Sequence, residues 1–476
     1  MSAPSPYRPT IGLEVHAELK TRTKMFCTSA NNPDEVRPNT NICPVCLAHP
    51  GTLPVINKEA VRHVLRVGTA LGGTIADYTE FDRKSYFYPD IPKGYQISQY
   101  EHPLISGGNL NGISITRVHL EEDTARSTHQ GERSLVDFNR AGVPLMELVT
   151  DPVIPDAKIA GDFARELQLL LRTLGASDAN LEKGEMRIEA NVSVSKTGTP
   201  SPNYVEIKNI NSFRSVERAI AHEIERQIEL IEKGEAVVKA TRGWDETKQE
   251  TFHQRFKEGS ADYRYFPEPD LPKLILSELP EFSPETIRTS LPELPTERRA
   301  RYSALGIKAE DVEIFIQDEF LSSMFEGVSA EAAGNADLAR LAANYLISDV
   351  VRLIRGSETE GAKENLSVDS FLDLMRMVKE SDVSSRGAKD ILAEMYRSGG
   401  EPRAVAEKHG LLQEKNTDAL KGIVIGVLEA NPAVADEYRA GKEAVLQFLV
   451  GQGMKASKGA GNPAVIRELL IEELKK

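Results

Sequence analysis

The chain has 476 residues, too many for one ordinary hydrophobic core, so two or three domains are expected. With 40% apolar and 27% charged residues it reads as a soluble globular protein. No apolar run nears the ~18 residues of a membrane span, and the N-terminal MSAPSPYRPT lacks a hydrophobic signal core, so a cytoplasmic protein is expected. A net charge of −14 argues against general nucleic-acid affinity, and three cysteines, two of them in CPVC, argue against a secreted disulfide framework.

The first predicted element is a strand at IGLEVH, where Ile11, Leu13 and Val15 alternate with Gly12, Glu14 and His16. In a strand the Glu and His then project together, away from the core. Carboxylates recur among apolar or basic residues in HLEED from His119, VPLMELVTDP from Val143, RIEANVSV from Arg187 and VEIKN from Val205. RIEANVSV and VEIKN repeat the parity of the first strand, with Glu189 and Glu206 on the polar side. Adjacent strand residues face opposite ways, so Glu121 and Glu122 do not both reach one site unless the strand ends there, and parity leaves the choice open.

Between these strands, Pro155 to Gly175 and Ser215 to Gly234 have helical period and end at glycine, a usual C-terminal stop. Proline then becomes dense from Pro267 through Pro295, which predicts an extended linker. Beyond about Glu297 the pattern turns helical, with Leu346, Val350 and Leu353 at i, i+4 and i+7. From about Gly410, short helices are expected around a flexible GQGMKASKGAGNPAV.

Converging carboxylates repel one another unless a cation sits between them. Oxygen ligands with one imidazole suit Mg²⁺ or Mn²⁺. No GxxxxGK[ST] occurs, so ATP, if bound, is not held by a P-loop.

Nearly end to end, the chain resembles the B subunit of the tRNA-dependent amidotransferase. The resemblance rests on IGLEVHAELKT from Ile11, CPVCLAHPGTLPVIN from Cys43, FDRKSYFYPDIPKGYQISQY from Phe81 and DFNRAGVPLMELVTDP from Asp137. DYRYFPEPDLP from Asp262 and GMKASKGAGNP from Gly453 extend it. It implies an α+β protein: a cradle-like, mixed but mainly antiparallel sheet domain over 1–290, an all-helical domain over 291–409 and a small helical tail domain over 410–476. It also implies a ligase that uses Mg-ATP to phosphorylate the side-chain carboxylate of misacylated Glu-tRNA(Gln) or Asp-tRNA(Asn). Ammonia from a separate amidase (A) subunit then displaces the phosphate. A small C subunit completes the expected heterotrimer; this chain offers no nucleophile for glutamine hydrolysis.

The resemblance assigns the metal site to Glu14, His16, Glu121 or Glu122, Glu147, Glu189 and Glu206, although the family commonly has Asp in the position of Glu189. A carboxylate attacking a phosphate needs cations that neutralise both. Lys84 and Arg140 join Glu14, His16, Glu122 and Glu147 as expected catalytic residues, and Lys93, in the same motif as Lys84, could serve the phosphates or the substrate carboxylate. Lys183, Arg187, Lys208 and Arg264 are expected at ATP. Tyr86, Tyr88 and Tyr95 could stack on the CCA end of tRNA, and Lys455 and Lys458 could clamp its backbone. Asn139, Asn209 and Asn211 offer hydrogen bonds to the aminoacyl group or to ammonia. Some family members bind structural Zn²⁺ with two cysteine pairs; here Ser29 replaces one thiol, leaving Cys27, Cys43 and Cys46 with His49 as a fourth ligand. A non-catalytic tRNA scaffold and a metal-dependent hydrolase are the competing readings.

Overall fold

The computed structural model describes residues 6–196, 202–256, 260–332, 334–356, 362–413, 417–457 and 461–476. The chain divides into two compact units, Met1–Pro295 and Thr296–Lys476.

Alternating sequence builds the first unit. Its main sheet has ten strands: β1 (Arg8–Glu18), β2 (Thr74–Ile75), β3 (Ile105–Ser106), β4 (Asn109–Leu110), β5 (Ile113–Glu122), β6 (Pro144–Thr150), β7 (Met186–Ser195), β8 (Val205–Ile210), β9 (Ala240–Asp245) and β10 (Glu250–Phe256). Their spatial order is β10-β9-β8-β7-β1-β6-β5-β3-β2, with β4 on β5. All pairings are antiparallel except β8 with β9. The expected α+β class, with a mixed and mostly antiparallel sheet, is what the chain adopts.

On one face Ile11, Leu13, Val15 and Ala17 of β1, Met146 and Leu148 of β6, and Ile188 and Ala190 of β7 are buried in one core. Three helices share that core: α1 (Lys58–Ala70), α2 (Ala157–Thr173) and α3 (Phe213–Glu232). Each begins at a side-chain cap: Asn57, Asp156 and Ser212 accept from amide N–H groups of the first turn. In β5 an extra residue opposite Val149 and Thr150 resets the alternation, so Ile113 and Ile115 reach the same core as Val118 and Leu120.

The proline-dense stretch is not the extended linker its composition suggests. It holds a short helix, Pro284–Thr289, and buries Leu271, Leu276, Phe282 and Ile287 in the core of the first unit. Proline here starts turns and helices instead of keeping the chain extended.

The second unit is helical. Tyr302, Phe315 and Phe325 pack ring on ring, with Phe315 and Phe325 stacked at 4.6 Å. The Leu346–Val350 segment is a π-helical turn between Ala336–Tyr345 and Val351–Gly356. Towards the C-terminus Leu420, Val424, Leu449, Ile466 and Leu470 form a separate cluster. The run GQGMKA, expected to be flexible, is the end of helix Leu446–Ala456. Gly453 is buried there, and a Cβ would meet Ile466 Cγ2 at 2.7 Å, so helix packing explains that glycine. Lys455 is exposed on this helix, and Lys458 lies outside the described residues. Among the described residues no helix is long and apolar enough to cross a membrane.

Candidate active site

The face of the sheet opposite the core carries charges in rows set by strand register. Arg117, Val149, Glu14 and Glu189 follow one another across β5, β6, β1 and β7. His119, Glu147, His16 and Arg187 form the next row, and Glu121, Leu145 and Glu18 the third. Cross-strand neighbours stand about 5 Å apart at Cβ, so this register alone brings two imidazoles and five carboxylates together.

His16 is at the centre. Its Nε2 lies 3.4 Å from Glu147 Oε2, 3.5 Å from Glu121 Oε1 and 3.8 Å from Glu14 Oε1. Burial alone would discharge the ring. The hydrogen bond to Glu147, with the charges of Glu147, Glu121 and Glu14, outweighs burial and raises its pKa to about 9. Glu147 Oε2 is also 3.4 Å from His119 Nε2, and its Oε1 is 3.6 Å from Arg117. Despite burial, His119 and His16 hold the Glu147 carboxyl well below the usual range. Glu14 shifts the other way, to about 7, through burial first and then the carboxylates of Glu147 and Glu189.

Two groups of convergent donors share Glu147: Glu14, His16 and Glu147, and His119, Glu121 and Glu147. Carboxylate oxygens with imidazole nitrogen fit a hard divalent cation. Glu189 and Glu206 lie further along the sheet. Glu189 Oε2 is 2.7 Å from Lys208 Nζ, while Glu206 Oε2 is 3.9 Å from it and accepts from the Thr241 hydroxyl at 2.7 Å.

Glu121 and Glu122 take opposite sides. Glu121 Oε2 accepts from Ser98 at 3.1 Å while its other oxygen faces His16. Glu122 turns away, pairs with Lys93 and accepts from the Ile97 N–H at 3.0 Å. Lys84 is half-buried beside the site, 5.0 Å over the Tyr263 ring. Burial lowers its pKa, but Glu121, Tyr265 and Glu147 win and hold it well above the ordinary lysine value.

The other expected residues are more dispersed. Arg187 donates to Asp123 at 2.7 Å, and Arg140 Nε lies 3.6 Å from the same carboxylate. Arg140 also donates to the carbonyls of Thr124 and Ala125, at 3.0 and 3.2 Å. Lys183 is exposed on a turn, 4.0 Å from Glu185. Arg264 is exposed, with φ of 47° between Tyr263 and Tyr265, a backbone region that disfavours side chains. Tyr86 packs edge-on against Tyr88 at 5.9 Å and Tyr263 at 6.0 Å. Tyr95 lies 4.3 Å from the Arg83 guanidinium, which is bidentate to buried Glu268 at 2.7 Å. Asn139 is fully buried and braces the 35–41 loop: its Oδ1 accepts from Thr40 and Asn41, and its Nδ2 donates to the Glu35 and Arg37 carbonyls. Asn139 is therefore committed within the fold and does not offer free hydrogen bonds to the aminoacyl group. Cys27, Cys43 and Cys46 converge, while His49 is not in their group.

Arg117, His119, Glu18, Asp123, Tyr263 and Tyr265 were not singled out from the sequence. His119 shares parity with Glu121, and Glu18 with His16, so a longer reading of the same alternation would have reached both. Glu18, next to Asp123, is pushed up to about 8, by burial first and then by that carboxylate, against Arg187 and Arg140.

Residues 9–279 match the family described as "GatB/GatE catalytic domain", and 324–474 the family described as "GatB domain". The chain is 44% identical to the B subunit of the aspartyl/glutamyl-tRNA(Asn/Gln) amidotransferase of Thermus thermophilus, over 98% of this chain and 99% of that one. It is 40% identical to the protein of the same name from Gloeothece citriformis, over 98% of both chains. The B subunit of the chloroplastic/mitochondrial glutamyl-tRNA(Gln) amidotransferase of Ostreococcus lucimarinus is 41% identical, over 99% of this chain and 97% of its own. Family matches over both units, and identity sustained over nearly the whole length, show that the chain belongs to the family of amidotransferase B subunits.

Proposed function

We propose that this chain is the B subunit of a tRNA-dependent amidotransferase, a carbon–nitrogen ligase with glutamine as amido donor. It uses ATP to phosphorylate the side-chain carboxylate of Glu-tRNA(Gln), Asp-tRNA(Asn) or both, and ammonia then displaces the phosphate. The observation that carries this reading is the His16 imidazole set among Glu14, Glu121 and Glu147, with Lys84 half-buried beside them.

Glu14, His16, Glu121 and Glu147 would hold Mg²⁺, which supplies positive charge to the phosphates. Both reactants are anions, so positive charge fixed in place lowers the barrier to their approach. Lys84, drawn towards the carboxylates, keeps its proton and places an ammonium at the edge of the site. Arg187, braced by Asp123, and Lys208, braced by Glu189, hold further cations in fixed positions along the polar face. Glu122 and Lys93, on the reverse side of β5, are a second charged pair within the same unit.

The first unit would handle ATP, metal and the aminoacyl end, with Tyr86 and Tyr88 available to stack on terminal bases. The 291–409 helices and the 410–476 tail would hold the tRNA body, Lys455 meeting phosphate. An amidase A subunit and a small C subunit would complete a cytoplasmic heterotrimer, because ammonia must be produced elsewhere.

Single-turnover release of ADP by the assembled enzyme tests this reading. ADP should appear only with misacylated tRNA, and His16→Ala and Glu147→Gln should each slow it by about two orders of magnitude or more while leaving tRNA affinity nearly unchanged. Near-normal amidation by both variants, or turnover without ATP, would overturn it.

A further inference from the structure

The sulfurs of Cys27, Cys43 and Cys46 lie within 4.8 Å of one another. Cys46 Sγ accepts from the Cys43 N–H at 3.1 Å, lies 3.8 Å from Cys43 Sγ and is 3.9 Å from the Ser29 hydroxyl. Next to them is Lys24, fully buried, its Nζ donating to the Phe138 carbonyl at 3.0 Å. Burial pulls this ammonium's pKa down, and the groups that oppose the shift are Cys46, Cys27 and Cys43.

This donor set does not fit the zinc site that cysteine pairs imply elsewhere in the family. Structural Zn²⁺ takes four strong ligands, and here the fourth position has a serine hydroxyl. His49 does not converge with the sulfurs. A lysine side chain is fully buried beside the sulfurs, and its ammonium would oppose a dication.

We propose that the knuckle is a metal-free oxidation site, with Cys46 as the reacting sulfur and Cys43 as the thiol that closes a disulfide onto it. Access comes from a cavity of about 170 Å³ whose walls include Cys27, Cys46, His49, Thr52, Lys93 and Glu122. That volume admits a peroxide and excludes a protein. The Cys46 sulfur attacks one oxygen of hydrogen peroxide: an S–O bond forms, the O–O bond breaks, and hydroxide leaves and is protonated to water. Cysteine sulfur is oxidised by two electrons to a sulfenic acid and the peroxide is reduced. The Cys43 thiol then displaces the sulfenic oxygen: an S–S bond forms, the S–O bond breaks, and a second water leaves. The geometry favours this order. Cys46 lines the cavity and accepts from the Cys43 N–H at 3.1 Å, which favours its thiolate, while Cys43 Sγ stands 3.8 Å away, outside the cavity wall and in reach of the oxidised sulfur.

Peptide mapping of the full-length, reduced protein after exposure to hydrogen peroxide, with and without dimedone, tests the proposal. With dimedone the adduct should fall on Cys46. Without it a Cys43–Cys46 disulfide should form, leaving Cys27 as the one free thiol of three, and dithiothreitol should restore the other two. Cys43→Ser should accumulate about tenfold more dimedone adduct at Cys46, because nothing resolves the sulfenic acid. Cys46→Ser should abolish both products with an unchanged thermal midpoint. Equal labelling of Cys27, labelling only in denaturant, or about one zinc per chain that survives dialysis and leaves on oxidation would each overturn it.

Discussion

The two faces of the central sheet use the same strands for different ends. Along β1, Ile11, Leu13, Val15 and Ala17 are no more than 1% exposed and are covered by helices, while Glu14, His16 and Glu18 between them stand in rows that hold most of the site's charged groups. Burial on the first face is favourable residue by residue, at roughly 25 cal/mol per Å² of apolar surface. On the second face the Glu14 carboxylate opposes folding, because it is buried and converges with Glu147 and Glu189. A strand that alternates in this way anchors its repulsive residues with the favourable ones on either side.

The sharpest way to break this comparison is to truncate the apolar face. Leu13→Ala should destabilise the first unit by about 2–5 kcal/mol, the range for buried leucine, and leave the charges in register. Trp244, the chain's only tryptophan and buried in β9, reports on this unit by fluorescence in a denaturant melt. A loss below about 1 kcal/mol would mean that the core tolerates a void there, and that the anchoring argument is wrong.

A change on the charged face should have the opposite sign. The Glu14 carboxyl titrates near 7 in the folded chain against 4.5 in the reference state. Its ionisation therefore opposes folding as pH rises from 4.5 through 7, and the full penalty is present at pH 8. Glu14→Gln in chelator at pH 8 should stabilise the protein by on the order of 1 kcal/mol, a figure reduced for the partial exposure of the side chain. Added Mg²⁺ should erase the advantage, because the cation favours the carboxylate. If Glu14→Gln destabilises the chelated protein, the face is not repulsive.

The same contrast explains how much could be read from the sequence. Period-two alternation at Ile11–His16 and Arg187–Val194 is a backbone property, so it gave the strands, their apolar sides and the shared face of Glu14, His16, Glu189 and Glu206. It could not give register, which depends on strands far apart in the chain. Hence Glu147 was expected at the site, but its cross-strand neighbour His119 was not. The choice between Glu121 and Glu122 also needed register: only Glu121 has the parity of His119. Proline density misled for Pro267 to Pro295 because composition reports local stiffness, whereas Phe282 and Ile287 decide where the segment packs. Glycine at 453 misled in a similar way: its partner is Ile466, invisible until the helices meet.

The finest test compares two imidazoles, one on each side of the sheet. His63, on α1, is buried among core residues: its Nε2 meets the Lys20 carbonyl at 3.0 Å and its Nδ1 has no partner. The ring faces Glu59 at 3.9 Å, with Arg62 and Arg66 also near. Burial dominates and lowers its pKa below 6.5, so the folded ring is neutral and donates to that carbonyl. For a group depressed in this direction the unfolded chain takes up the proton first. Its stability is present above pH 6.5 and lost as pH falls from 6.5 towards the lower folded value. His16 behaves in reverse. In the cation-free protein its raised pKa contributes stability below pH 6.5 that is lost as pH rises through about 9. His63→Gln keeps a donor for Lys20 but cannot titrate, so it should flatten the acid limb of stability against pH by at most about 1.4 kcal/mol per pH unit and leave the alkaline limb unchanged. His16→Gln, measured in chelator, should flatten the alkaline limb alone. If both variants act on one limb, the two faces do not hold their imidazoles in opposite charge states.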